Sequence, residues 1–242
     1  MKYTSTATLL KDTVIIITGA GNGIGAAVAK AYANHGSTVI LLDKSIPALE
    51  QVYDEIVASG AAQPAIYPLD LQGSSVDDYD TLASTVQENF GRLDGLVHCA
   101  ASLGQLAPVT HQDTQTWLET LHINLTAPYL LTRACLSLLQ QQSSSIIFTT
   151  DQHKDTAYWS AYGLSKSGIE SLSKQLADEL ESEAKVRVNC IDPGTVKTEL
   201  FSRAFPAKDP RFLPSADDVV PAYLYLMGKD SVNKTGELIK AQ

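Results

Sequence analysis

The stretch Thr18-Gly19-Ala20-Gly21-Asn22-Gly23-Ile24-Gly25 constrains this chain more than any other. It follows the apolar run Val14 to Ile17, whose β-branched residues and length suit a fully buried parallel strand. Ala26, Ala27, Val28, Ala29, Ala31 and Tyr32 then read as the closely packed start of a helix. Strand, glycine-rich turn and helix N-terminus together form an anion cradle. Free N–H groups of the first turn and the helix dipole point at whatever sits there, and glycine lets a pyrophosphate approach the backbone. A dinucleotide site at Gly19, Asn22, Gly23, Ile24 and Gly25 is the prediction.

Strand-like runs and helical patterns alternate over the rest of the chain. Strands are predicted at Thr38–Leu42, Ala65–Leu69, Leu93–His98, Ser145–Thr149 and Val186–Ile191, with a final short one at Glu237–Ile239. Between them lie helical patterns at Pro47–Ser59, Val76–Phe90, Asp113 to Leu139 with Pro128 as a kink, and Tyr158–Glu181. A last helix runs from a cap at Ser215 or Asp217 to Gly228. This order predicts an α/β fold: one doubly wound, Rossmann-type parallel sheet of about seven strands with helices on both faces. No linker, repeat or low-complexity segment divides residues 1–242, so one domain is expected.

Composition narrows the partners. With 44% hydrophobic residues and strand-sized apolar runs, the chain can build a core but offers no membrane span. The net charge of −9, without a basic block, argues against nucleic acid or an anionic membrane as partner. Cys99, Cys135 and Cys190 show no paired spacing, and the first ten residues lack a signal-peptide pattern, so a cytoplasmic protein with reduced thiols is expected. The five histidines show no ligand spacing, which predicts structural or surface roles for them and no metal site. P-loop and GxSxG patterns are also missing.

Doubly wound sheets bind ligands beyond the carboxyl ends of their strands. Asp43 ends the second strand, eighteen residues after Gly25, where a carboxylate accepts hydrogen bonds from ribose hydroxyls and repels a 2′-phosphate. NAD is therefore expected over NADP, with Lys44 weakening the preference. Asp70, ending the third strand, suits the adenine amino group or a plain turn.

By these residues the chain resembles the short-chain dehydrogenase/reductase superfamily over its whole length. Thr18-Gly19-(x3)-Gly23-x-Gly25 matches its cofactor motif, and Asp70-Leu71 its adenine-contacting pair. Asn124 matches its catalytic asparagine, Tyr162-Gly-Leu-Ser-Lys166 its YxxxK signature, and Pro193-Gly194 with Thr198 the segment bracketing nicotinamide. A second tyrosine–lysine pair, Tyr225–Lys229, lacks that context. The tail, with Phe205-Pro206, Leu226-Met227-Gly228 and Thr235-Gly236, is similar to bacterial YciK-type oxidoreductases.

The resemblance implies hydride transfer between a nicotinamide cofactor and a carbonyl or secondary alcohol. Tyr162 would be the general acid/base, with Lys166 lowering its pKa and Asn124 supporting proton relay. Cofactor contacts would include Cys99, Ala100, Tyr162, Lys166, Pro193, Gly194, Val196 and Thr198. It also implies a homodimer or homotetramer through the helices carrying Leu130, Leu131, Cys135 and Leu138 and Ile169, Leu172 and Leu176.

Two departures stand out. His98-Cys99-Ala100-Ala101 replaces the family's Asn-Asn-Ala-Gly, removing an amide that ties strands and adding a methyl near the cofactor. The family's serine just past strand five falls on Thr149, Thr150 or Asp151, according to how the segment is aligned. Thr150 would preserve a hydroxyl donor; an ionised Asp151 would oppose Lys166. The alternative function is therefore a dinucleotide-binding sensor or scaffold with little or no turnover. An epimerase or dehydratase of related fold is disfavoured because little chain remains for a separate substrate domain. Substrate determinants are expected in residues 195–214, with Trp159, Phe201, Phe205 and Phe212 as pocket or lid residues.

Overall fold

The computed structural model describes residues 3–181 and 185–242. Among these residues the strands are β1 (Val14–Thr18), β2 (Thr38–Asp43), β3 (Ala65–Pro68), β4 (Gly95–His98), β5 (Ser144–Thr149), β6 (Val186–Asp192) and β7 (Leu238–Lys240). They form a single sheet in the order β3-β2-β1-β4-β5-β6-β7. Every pair is parallel, from Val14 beside Thr38 to Asp192 beside Lys240. The order reverses between β1 and β4, and that reversal opens a crevice at their carboxyl ends.

Both faces are covered, so the central strands have no polar side. Ile15, Ile17, Val39 and Leu41 enter one core with α1 (Gly23–Asn34), α2 (Ile46–Ala58) and α8 (Val220–Met227). Val14, Ile16, Ile40 and Leu42 enter the other with α3 (Val76–Phe90), α5 (Ala127–Leu139) and α6 (Ser160–Glu179). Alternation along each strand fills two separate cores, which is why these strands read as continuous apolar runs. Among the described residues no helix is long and apolar enough to cross a membrane.

Most differences from the sequence-based boundaries have a local cause. α3 begins with a full capping box, in which Ser75 and Asp78 satisfy each other's backbone N–H, and ends at Gly91 in the left-handed conformation (φ 67°). The predicted helix from Asp113 to Leu139 is interrupted. Asp113 caps α4 (Thr114–Leu121) as expected, but residues 122–126 form a π-helical turn before α5. Pro128 has no N–H to offer the carbonyl four residues back, which belongs to Asn124.

The last helix starts later than expected. Asp218 folds back to accept from Ser215, holding the turn outside the helix, and Pro221 sits in the first turn of α8. Residues 195–214, where substrate determinants are expected, contain two short capped elements. Thr198 caps α7 (Glu199–Ala204), and Asp209 caps a single 3₁₀ turn at 210–212. The apolar residues expected at an oligomer interface mostly serve this chain's own core: Leu131, Cys135, Leu138 and Ile169 are buried against the sheet.

Candidate active site

A cleft of about 500 Å³ opens above the carboxyl ends of β1, β4, β5 and β6. Asp43, Lys44 and Asp70 line one end; Gly19, Asn22, Gly23, Ile24 and Gly25 line its middle; Thr149, Asp151, Tyr162 and Lys166 line the inner end. Leu71, Cys99, Ala100, Pro193, Gly194, Val196 and Thr198 complete the wall, so every residue assigned to cofactor binding from the sequence borders one cavity.

The middle is built by close packing. A Cβ placed on Gly25 would stand 2.2 Å from the Gly19 carbonyl oxygen, so the first turn of α1 presses directly on the end of β1. Asn22 caps that helix by accepting from the Gly23 N–H at 2.7 Å. Thr18 Oγ1 accepts from the N–H groups of both Cys99 and Ala100 at 3.1 Å, joining β1 to β4 across the switch point. That hydroxyl supplies a tie where the family's asparagine amide is missing, and the Cys99 thiol rests 3.5 Å from Thr149 Oγ1. His98 points into the core, stacked on Phe148 and bonded to Thr132. Burial, then the charge of Lys166, pushes its pKa down to about 3 and keeps it neutral.

Asp43 accepts from the N–H groups of Gly21 and Ser45, which fixes its carboxylate at the mouth of the glycine turn. Asp70 accepts from the Gln72 N–H in an ordinary turn that also borders the cleft. Asp192 accepts from the Gly194 N–H, and Gln242 donates to the carbonyls of Pro193 and Thr195, so the turn after β6 is held from both sides.

At the inner end, Tyr162 donates to Asp151 Oδ2 at 2.9 Å. Thr150 does not share that role in the geometry. Its side chain donates to Glu170 at 2.8 Å and lies 3.4 Å from the Lys166 carbonyl, away from the phenol. Of Thr149, Thr150 and Asp151, Asp151 is thus the one whose side chain meets the phenol. Lys166 donates to the Thr149 carbonyl at 2.8 Å, and its ammonium lies 5.6 Å from the centre of the Tyr162 ring. Asn124 is occupied with the wall opposite: it accepts from the Ser102 N–H and donates to the Ser102 carbonyl and Ser165 Oγ.

The electrostatics differ from the expectation that Lys166 lowers the tyrosine pKa. Burial first, and then the charge and hydrogen bond of Asp151, hold the Tyr162 phenol well above its ordinary value. Burial also pulls Lys166 below its usual range, against the upward pull of Asp151. The Tyr162 side chain is therefore held as the neutral phenol.

Three features of this end were not read from the sequence. His153 donates its backbone N–H to Asp151 Oδ1 at 2.7 Å and places its ring Nδ1 2.8 Å from the same oxygen. The aspartate-to-i+2 bond is an Asx turn, a spacing visible in Asp151-Gln152-His153. The ring stacks on Trp159 at 4.4 Å, and Phe205 closes from α7's end. Tyr158 and Ser160 adopt left-handed backbone (φ 72° and 45°) on either side of Trp159, which turns the indole inward. Such conformations cost on the order of 1–3 kcal/mol each in non-glycine residues. Gly163, inside the YxxxK signature, lets the loop press on α6: a Cβ there would meet the Lys154 carbonyl oxygen at 2.5 Å. Phe201 and Phe205 pack together over the mouth, whereas Phe212 stands 86% exposed and takes no part.

With this geometry in place, comparison with known proteins is direct. The short chain dehydrogenase family matches residues 13–209. The chain belongs to the short-chain dehydrogenase family of oxidoreductases. It is 39% identical to the oxidoreductase YciK of Escherichia coli K12, covering 100% of this chain and 96% of that protein. A short chain dehydrogenase of Shigella flexneri complexed with NADP superposes with a TM-score of 0.95 at 39% identity, covering 98% of this chain and all of the other. One from Escherichia coli CFT073, complexed with NADPH, gives the same TM-score, identity and coverage.

Proposed function

We propose that this protein moves hydride between a nicotinamide dinucleotide and a carbonyl/alcohol pair, with Tyr162 as the proton donor or acceptor. The observation that carries the reading is the convergence, at the inner end of the family's cleft, of a buried phenol, a buried ammonium and a carboxylate. The cleft fits the cofactor in its order of chemistry: carboxylates at one end, a helix N-terminus in the middle, and the phenol–ammonium pair at the other. Gly19, Asn22, Gly23, Ile24 and Gly25 would hold the pyrophosphate, Asp43 the adenosine ribose, and Pro193 to Thr198 the inner half.

A bound nicotinamide supplies the hydride. The chain does the rest. Tyr162 gives its proton to the carbonyl oxygen as that oxygen gains charge, and takes one from the alcohol in reverse. Lys166, fixed on the Thr149 carbonyl, stabilises the phenolate left behind. Asn124 and Ser165 brace the wall and the helix behind the phenol. Leu103, Trp159, Leu200 and Phe205 give the mouth an apolar lining, which suits a substrate whose reacting carbon carries an apolar or aromatic flank.

Asp43 supports NAD over NADP, because its fixed carboxylate faces the ribose position where a 2′-phosphate would be repelled. This chain would then differ from its NADP-complexed neighbours. Calorimetry with all four pyridine nucleotides tests the point: NAD and NADH should bind at least tenfold tighter, and equal or inverted affinities would refute it. The exposed Leu118, Tyr129 and Leu164 on α4, α5 and α6 support homo-oligomerisation through those helices. A second reading, binding without turnover, is favoured by the carboxylate of Asp151, which resists phenolate formation. NADH oxidation with a panel of ketones and aldehydes decides between them; cofactor binding without any turnover, relieved by Asp151→Ser, would favour the second.

A further inference from the structure

Hydride transfer as described leaves His153 without a role, although four contacts fix it. Its ring and its backbone N–H both hold Asp151 Oδ1, and the ring stacks on Trp159 and meets the Phe205 ring at a tilt. The side chain is still 25% exposed, so protons from solvent reach it. The other carboxylate oxygen, Oδ2, accepts from Tyr162. A histidine therefore addresses the general acid through one intervening carboxylate.

We propose that His153 is a positioning residue for Tyr162, acting through Asp151: it aims one carboxylate oxygen at the phenol, and its charge sets how firmly that carboxylate holds the phenolic proton. The proposal rests on the reading of Tyr162 as the proton donor. With the imidazole protonated, ring and carboxylate together are neutral and oppose phenolate little. With the imidazole neutral, the carboxylate's full negative charge faces the phenol at hydrogen-bond distance. Phenol is the form reduction needs; phenolate is the form oxidation needs. Loss of the imidazolium charge should thus keep Tyr162 as phenol to higher pH, and the rate of alcohol oxidation should gain less from alkali than a serine in place of Asp151 would allow.

Other charges around this pair are accounted for. Lys166 of α6 and Asp192 at the end of β6 act on Asp151 and Tyr162 from behind. Lys154 is engaged by Glu170 of α6. Lys208 lies over the Phe205 ring at 4.5 Å, and Glu199 and Arg203 of α7 border the same cleft.

Trp159 gives a readout independent of turnover, because an imidazolium quenches an indole stacked on it. In the Trp117→Phe background, Trp159 emission against pH should show a midpoint that is absent in His153→Gln. Asp151→Asn should lower that midpoint by about one pH unit, the tenfold expected when an adjacent negative charge is removed. The pH profile of alcohol oxidation should inflect at the same midpoint in the parent protein and lose that inflection in His153→Gln and in His153→Phe, which keeps the stack. In Asp151→Asn, replacing His153 should change the profile no further. The proposal is overturned if both His153 variants keep the parent profile, or if their effect persists undiminished without Asp151. Absence of turnover in every variant, with the Trp159 midpoint still moved by Asp151→Asn, would refute hydride transfer while upholding this coupling.

Discussion

The two halves of the cleft are built on different principles. Around α1 the site is backbone: helix N-terminus, glycine turn, and a strand end so close that one methyl group cannot enter. Around β5 and α6 it is side chains from separate segments, Asp151 and His153 from a loop, Tyr162 and Lys166 from a helix, Phe205 from the segment beyond β6. Backbone recognition tolerates almost no change in shape but is indifferent to pH. Side chains can be exchanged without moving the backbone, and the Asp151 carboxylate at the phenol shows how one such group sets the local charge balance. A family can therefore keep its cofactor half and vary the other.

Substitutions at each end should separate cleanly if this contrast is right. Tyr162→Phe should lower turnover by about 10²–10⁴-fold, the usual contribution of a positioned acid, with cofactor affinity unchanged by calorimetry. A comparable loss of cofactor affinity would erase the distinction. Gly25→Ala should do the opposite. Over-packing against the Gly19 carbonyl costs on the order of 1–3 kcal/mol, and the displaced turn should weaken cofactor binding at least tenfold while the Tyr162–Asp151 contact survives. The smallest effect is expected at Gly91, which shares the left-handed backbone of a turn glycine but has nothing within 4 Å of an added Cβ. Gly91→Ala should cost about 1 kcal/mol by chemical denaturation, all of it conformational, with both cofactor affinity and turnover intact. A larger cost at Gly91 than at Gly25 would mean that close approach is not what the cofactor half depends on.

The strand, turn and helix around the glycine-rich stretch were legible because their signals are local. Val14–Ile17, the glycine turn and the small residues of α1 are contiguous, and strand, turn and helix each carry their own periodicity. The capping box at Ser75 and the stop at Gly91 are equally local, and α3 begins and ends where they place it. The break at residues 122–126 was only half legible: Pro128 announced an irregularity, but not that the chain would absorb it as a π turn ahead of the proline. For residues 195–214, expected to carry substrate determinants, Thr198 as a cap and the Phe201–Phe205 contact form a short helix whose Phe205 end meets Trp159.

By itself, then, the order of residues determined the sheet, the glycine turn ahead of α1 and the placing of Tyr162 and Lys166 on one helix face, since each depends on spacing along one segment. Whether Thr150 or Asp151 would face the phenol, that His153 would stand behind it, and that the phenol's proton would be held rather than loosened were decided only on folding. Those outcomes depend on which oxygen lies within 3 Å of which donor and on how much water burial removes, and neither quantity exists until β5, α6 and the loop from Asp151 are packed against one another.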